Sequence, residues 1–274
     1  MRSHHLFGSI LAAGIVACSN DGTSTAPETP EPPAPATVLL RDVEVTSLPS
    51  PYYHFEYDAD GRMNVASFAS DFAHYAIHYD AGKIKELVDT GVSPDKLEYF
   101  YDAAGRVDTV KYLDGTGAMF EFVTLSYNDR TLVGLQRRRK LGSDFVLEKE
   151  MSFSYYADGN LEQVTDHRSA VAGRQEESTS IDRFEQYDTG VNVDGFGLIH
   201  NDFFDALVLL PGVVLQKGNP AKETFTADFL SYSAVYTYEY DDAHRPLTKS
   251  GAVAFTSGPD VGKTFQTLSR FSYY

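Results

Sequence analysis

The 274-residue chain has one cysteine, no tryptophan and few cationic side chains. A single cysteine cannot close a disulfide within the chain, so a disulfide-stabilised scaffold is excluded. The 23 Lys and Arg residues are outnumbered by 39 Asp and Glu residues, and the formal net charge is −16. Because binding to a phosphate backbone depends on clustered cations, we expect no nucleic-acid partner.

Motifs for cofactor chemistry are also missing from the sequence. The sequence Gly195-Phe196-Gly197 is not followed by the last glycine of a dinucleotide-binding fingerprint, and no Gly-x-Ser-x-Gly turn occurs. We therefore predict no cofactor. Carboxylate-based hydrolysis stays open as an activity, because a fold can bring together acidic residues that are distant in the sequence.

The N-terminus has the layout of a secretory signal. Arg2 precedes an apolar run at residues 10–17, which is too short to span a bilayer. The sequence Ile15-Val16-Ala17-Cys18 resembles the lipobox of bacterial lipoproteins, in which the cysteine is acylated and becomes the new N-terminus. We therefore predict a signal peptide at residues 1–17 and lipidation at Cys18. The alternative is a buried free thiol behind an ordinary signal.

The next segment, residues 18–38, is predicted to be a tether that joins the lipid anchor to a folded domain. It is rich in Ser, Thr, Glu and Pro, and such a composition buries too little apolar area to fold. Ser19 follows the cysteine, which by resemblance to lipoprotein sorting implies the outer membrane. The anchor makes the membrane a partner, and the periplasmic and cell-surface sides both stay open.

Residues 39–274 contain a repeated motif. The sequence Tyr57-Asp58-Ala59-Asp60-Gly61-Arg62 recurs at residues 101–106, and a looser copy begins at Tyr79, 22 residues after the first. Further loose copies begin at Tyr127, Tyr156 and Tyr240. A period of this length is typical of an array of one supersecondary unit.

Each unit is predicted to be a β-hairpin. Aromatic-rich stretches precede the motif, Asp58 can bond the amides of the turn, and Gly61 can adopt the positive φ that reverses the chain. We expect at least eight antiparallel strands after Val38, with turns at 58–61 and 102–105 and with Gly61 and Gly105 at positive φ. Within each hairpin the Arg stem is expected to lie across the ring of its own Tyr.

These copies resemble the YD repeats of Rhs-type proteins, whose strands wind into a long β-ribbon. The C-terminal half, with Tyr238-Glu239-Tyr240-Asp241 and Arg245-Pro246-Leu247-Thr248-Lys249, resembles a family of uncharacterised bacterial lipoproteins with a porin-like, partly open barrel. The resemblance implies an all-β antiparallel meander of repeated hairpins, curled into an open or half barrel. It brings no catalytic residues.

One interval has a helical pattern. Asn201 or Asp202 can cap a helix, apolar residues follow at helical spacing, and Pro211 ends it. We predict a short helix over about 202–210 that is buried in the concave face of the sheet, because it is apolar nearly all round. The alternative is a hairpin that dips into the membrane.

Three clusters are candidate sites, and none of them predicts a metal. His74 and His78 share one face of a strand, but a third ligand is missing, so a solvent-facing pair is favoured. Residues 58–61 begin like a calcium loop but lack its later oxygen ligands, so an Asp-rich turn is favoured. The basic run at residues 137–140 could dock on anionic lipid or an acidic partner, and a solvated strand end is the alternative.

Three functions follow from these observations. We favour a non-catalytic, lipid-anchored envelope protein that acts as a binding or scaffold module for an envelope glycan or protein, with tyrosine-rich faces as the recognition surface. An extracellular or periplasmic hydrolase is the alternative, and buried acids with raised pKa in the concave face would indicate it. A membrane-spanning barrel is the third, but no continuous outward apolar band is evident, because the strands carry Glu56, Glu98, Glu121, Glu148 and Glu239.

Overall fold

The computed structural model describes residues 38–91, 94–193 and 209–274. It contains sixteen antiparallel strands that form one closed barrel in which chain neighbours pair in order. The strands are β1 (Leu40–Val45), β2 (Tyr53–Tyr57), β3 (Met63–Phe68), β4 (Ala73–Asp80), β5 (Lys83–Asp89), β6 (Lys96–Tyr101), β7 (Val107–Leu113), β8 (Met119–Asn128), β9 (Thr131–Leu141), β10 (Asp144–Tyr155), β11 (Leu161–Arg168), β12 (Ser178–Tyr187), β13 (Pro220–Ala227), β14 (Ser231–Tyr240), β15 (Pro246–Ser257) and β16 (Thr264–Tyr273). The prediction of an all-β antiparallel meander is confirmed.

The prediction of an open or half barrel is wrong, because the first and last strands pair. Strand β1 bonds β16 from Leu40 opposite Tyr273 to Val45 opposite Ser269. The side chain of Asp42 joins the seam: its Oδ2 accepts a bond from Ser272 Oγ at 2.9 Å, and its Oδ1 lies 2.6 Å from His54 Nδ1 on β2. Closure satisfies the backbone groups that an edge strand would leave unpaired.

The strands follow a two-residue period, as β4 shows. Tyr75 and Ile77 are buried in the barrel interior, whereas His74 is partly exposed and His78 is exposed on the outer face. The face predicted for the two histidines is therefore correct. The same alternation places the apolar core inside the barrel, where β2, β5 and β7 contribute Phe55, Leu87 and Val110 with no exposed surface.

One end of the barrel carries the turns that follow Tyr57, Tyr101 and Tyr240, and we call it the tyrosine end. Gly61 and Gly105 have φ of 74° and 81°, which confirms the predicted turns. Asp58 Oδ1 accepts bonds from the amides of Asp60 and Arg62, both at 2.9 Å, and Oδ2 accepts the Arg62 Nε–H at 2.8 Å. Both carboxylate oxygens thus serve the turn, which is the Asp-rich turn that the sequence favoured over a calcium loop.

The expected stacking of each Arg on its own Tyr is wrong. The Arg62 guanidinium lies 5.4 Å from the ring centroid of Tyr79, in the following copy, and binds Asp58 of its own turn. The Tyr79 hydroxyl in turn donates to the carbonyl of Met63 at 2.7 Å. The twist and bulge of the paired strands bring the next copy, rather than the same hairpin, beside the Arg.

Residues 209–216, which precede β13, lie inside the barrel at the tyrosine end. Leu209 and Leu210 are buried there, and the Leu209 amide donates to the Tyr99 hydroxyl at 3.0 Å. Most of the helix predicted at 202–210 falls outside the described residues. Within the described ranges no helix is long and apolar enough to cross a membrane.

Candidate functional site

Charged side chains form a belt on the inner wall of the barrel, on strands β8–β15. Near the tyrosine end the side chains that point inward are mostly apolar. Farther along these strands, several of the inward-pointing side chains are charged. The members of this inner belt are Glu121, Arg137, Arg139, Glu148, Lys149, Asp166, Asp182, Glu223 and Lys249. Charges at such depth are costly unless they are paired or contact a ligand.

The half of the belt on β8–β10 is an ion-pair network. Arg139 Nη2 lies 2.5 Å from Glu121 Oε2, and Arg139 Nε lies 3.1 Å from Glu148 Oε2. Arg137 also approaches Glu148, at 3.4 Å. Because strands alternate, Arg138 and Lys140 point outward instead. The basic run at 137–140 is therefore not one surface patch, because Arg137 and Arg139 form ion pairs inside the barrel.

The neighbouring strands β10 and β11 contribute a buried ion pair between a lysine and an aspartate. Lys149 has no exposed surface, and its Nζ lies 3.5 Å from Asp166 Oδ2. Arg168 Nε approaches the same carboxylate oxygen at 3.3 Å. On this side of the belt each of these charged side chains thus lies within 3.5 Å of an opposite charge.

The other half of the belt, on β12–β15, is built around Glu223. Its two carboxylate oxygens accept the hydroxyls of Tyr232 and Tyr236, at 2.7 and 2.8 Å. Lys249 Nζ lies 4.5 Å from the ring centroid of Tyr236. Gly251 makes room for this tyrosine, since a Cβ there would lie 2.8 Å from Tyr236 Cε1.

Asp182 lies beside Glu223 on the inner wall and is only 5% exposed. Its Oδ1 atom has no hydrogen-bond partner within the part of the chain that the structure describes. Burial, and then the negative charge of Glu223, raise the pKa of Asp182 to about 9, although Lys249 acts in the opposite direction. Asp182 is therefore a neutral acid at pH 7 and can donate and accept hydrogen bonds.

A group of aromatic rings lies beside Asp182 and farther than Glu223 from the tyrosine end. The end of the barrel that these rings approach is opposite the tyrosine end, and we call it the mouth. Phe225 and Tyr232 stack with centroids 5.1 Å apart and planes 15° apart. Phe255 meets Tyr232 edge-on at 6.4 Å and lies 5.8 Å from Phe265. These four rings face the interior from β13–β16 and stay partly exposed, Phe265 by 45%. They form an aromatic wall at the mouth.

A cavity lies at the tyrosine end. It has a volume of about 420 Å³ and lies between residues 209–216 and the inner faces of β1–β5. Leu40, Ile84 and Leu210 contribute to its mostly apolar lining. The mouth combines rings with charge and hydrogen-bonding groups, which directional recognition requires, so it is the stronger candidate site.

The residues singled out in the sequence do not meet at this site. His74 and His78 lie on the outer face and Asp58 lies in a turn, whereas Cys18 falls outside the described residues. In the described ranges no three His, Cys, Asp or Glu side chains are placed to bind a metal. The inner belt was missed by sequence reasoning. The sequence indicates this belt only weakly. A charged residue in a strand can be assigned to the interior only when it is known which alternate residues of that strand point inward.

Comparisons with known proteins show the fold. A porin-like protein from Bacteroides uniformis ATCC 8492 matches with a TM-score of 0.54 and 12% identity, over 81% of this chain and 89% of that chain. A porin-like protein from Bacteroides vulgatus ATCC 8482 matches with a TM-score of 0.56 and 14% identity, over 86% and 99%. No family model matches the chain, and no curated protein matches it. The chain therefore has a porin-like, all-β barrel fold, as the sequence resemblance implied, except that the barrel is closed and not partly open.

Proposed function

We propose that the protein is a non-catalytic binding or scaffold module of the outer membrane, lipid-anchored through Cys18, and that the barrel mouth binds its partner, an envelope glycan or protein. The porin-like neighbours support a place in the envelope without a catalytic role. The observation that carries the binding role is Asp182, a buried acid that pairs with Phe225 of the aromatic wall and whose Oδ1 has no partner among the described residues. Such a group is costly in the free protein and is relieved by a ligand.

The outer face of the barrel supports attachment by a lipid rather than immersion in the bilayer. Charged side chains point outward in the middle of many strands, and a lipid-facing surface would need an apolar band instead. The outward charged residues include Glu56, Glu98, Lys111, Glu150, Arg183, Glu185, Lys222 and Glu239.

The interior supports a binding cup rather than a channel. Residues 209–216 pack against the inner wall at the tyrosine end, and the inner belt crosses the middle of the barrel. Strand β1 begins at the tyrosine end, where Leu40 pairs with Tyr273.

The proposal is tested by capture on the immobilised full chain. Envelope glycans and envelope proteins are offered to the wild type, to Phe255→Ala at the mouth, and to Phe122→Ala as the matched control. Phe122 is an outward-facing residue on β8, whereas the aromatic wall lies on β13–β16. The centroid of its ring lies 5.3 Å from that of Phe145. Capture by the wild type and by Phe122→Ala, and its loss in Phe255→Ala, is the expected result.

Capture that is equal in all three proteins, or absent in the wild type, overturns the mouth as the binding surface. Release of shortened products from a captured glycan or peptide would instead identify a hydrolase. The comparisons lend that alternative no support. Asp182 has the raised pKa that a hydrolase would need, but its neighbour Glu223 is already engaged by two tyrosine hydroxyls.

A further inference from the structure

The polar groups beside the aromatic wall have little net charge at pH 7. Glu223 carries one negative charge and Lys249 one positive charge, both on the inner wall of the same half of the barrel. Asp182 is neutral because burial and Glu223 raise its pKa to about 9. A ligand with a net charge would therefore be desolvated without a counter-charge, which is unfavourable.

The hydrogen-bonding groups suit a ligand with several hydroxyls. The acid group of Asp182 can donate through its proton and accept through Oδ1, which has no partner among the described residues. Glu223 accepts one tyrosine hydroxyl at each oxygen, and each oxygen has a further lone pair. A hydroxyl can donate to one of these acceptors and accept from Asp182 at the same time.

The aromatic wall supplies the apolar surface that such a ligand needs. Phe225, Tyr232 and Phe255 present ring faces and edges toward the mouth, and Phe265 extends them to the rim. The C–H face of a sugar ring can pack on such rings while its hydroxyls reach the polar groups beside them. Peptide ligands would leave backbone amides against rings that offer no partner.

We infer that the mouth binds a neutral saccharide, with its sugar rings on Phe225, Tyr232 and Phe255 and with its hydroxyls on Asp182 and Glu223. This inference rests on the proposed function, and it adds the ligand class and the residues that select it.

The first test compares charge classes of ligand on the full chain in detergent at pH 7. Calorimetric titrations use neutral hexasaccharides (xylohexaose, cellohexaose, maltohexaose), anionic hexagalacturonate and the cationic hexamer of glucosamine. We expect binding of at least one neutral probe, at least tenfold weaker binding by Phe255→Ala, and unchanged binding by Phe122→Ala. Preference for a charged probe, or binding that Phe255→Ala leaves unchanged, overturns the inference. So does failure of all neutral probes.

The second test follows the role of Asp182. The titratable groups that face Asp182 are Glu223 on β13, Tyr236 on β14, Lys249 on β15 and Asp166 on β11. Between pH 7 and 9.5 the protonated fraction of Asp182 falls, so neutral-probe affinity should fall about fourfold. Asp182→Ala should weaken binding at both values, and Asp182→Asn should rescue it without pH dependence. Tighter binding at pH 9.5, or no rescue by Asp182→Asn at an unchanged melting temperature, contradicts the neutral hydroxyl contact.

The outcomes separate the two claims. If the captured partner is a protein or a charged glycan and its capture depends on Phe255, the proposed function stands and the saccharide inference fails. If capture does not depend on Phe255, both claims fail.

Discussion

The guanidinium of Arg106 lies 4.8 Å from the ring centroid of Tyr127, in the next copy of the repeat, and binds Asp102 of its own turn at 2.6 Å. The Tyr127 hydroxyl donates back to the carbonyl of Val107 at 2.8 Å. The same relationship joins Lys83 to Tyr101 and Arg245 to Tyr273. In these copies a cation of one turn thus contacts a tyrosine of the following strand pair at the tyrosine end, which favours a continuous barrel over independent hairpins.

A double-mutant cycle tests this fastening. Arg106→Ala combined with Tyr127→Leu should show a coupling of about 0.5–1 kcal/mol, because the pair loses one cation–ring contact that either single change already removes. Urea unfolding of the four proteins measures it. The control cycle pairs Arg106→Ala with Tyr101→Leu, in its own hairpin, and should show coupling near zero. Equal coupling in both cycles would contradict the prediction, because it would show that Arg106 interacts with Tyr101 of its own hairpin as strongly as with Tyr127.

Gly251 is predicted to be required for the position of Tyr236. In Gly251→Ala the new Cβ would lie 2.4 Å from Thr267 Oγ1 and 2.8 Å from Tyr236 Cε1. The tyrosine must shift from Glu223, and the free energy of unfolding should fall by about 2 kcal/mol. Gly134→Ala is the matched control in another strand, since its nearest contacts lie at an ordinary 3.6 Å. Equal urea midpoints for the two variants would contradict the prediction.

Asp182 should make stability fall with rising pH. Its folded pKa is raised from 3.8 to about 9, so the folded protein keeps a proton that the unfolded chain has released. The contribution is complete below about pH 4 and is lost as the pH rises through about 9. Asp182→Asn should remove this trend and raise the free energy of unfolding at pH 8, because the amide is neutral without having to bind a proton.

Urea midpoints of wild type and Asp182→Asn between pH 4 and 10 measure this difference. The same substitution at Asp80, an exposed residue at the end of β4, serves as the control and should leave the profile unchanged between pH 6 and 10. Parallel profiles for wild type and Asp182→Asn would show that Asp182 keeps the same charge in the folded and unfolded protein.

Cys18→Ser should release the protein from membranes while leaving the barrel folded. The reason is that the acyl chains predicted at Cys18 are the attachment we expect, and the outer face of the barrel is charged. Membrane fractionation after a high-salt wash measures release, and the melting temperature reports the fold. Ser19→Ala, which keeps the cysteine, is the control. If the Cys18→Ser protein still sediments with membranes, the predicted lipid attachment at Cys18 is wrong.

The amino-acid sequence by itself determined the local structure. Alternation predicted the strands and placed Tyr75 inside and His78 outside, because side chains in a strand repeat every two residues. The Asp and Gly of the motif predicted the turns at Gly61 and Gly105, because their short-range bonding and positive φ depend on four residues alone.

Only the tertiary structure decided the rest. Closure of β1 on β16 depends on the twist and stagger summed over sixteen strands, which no single segment encodes. The choice of Tyr127 rather than Tyr101 as the partner of Arg106 depends on the same stagger. Asp182, Glu223 and Lys249 come from three strands and meet because closure turns their shared face inward, where desolvation makes Asp182 neutral.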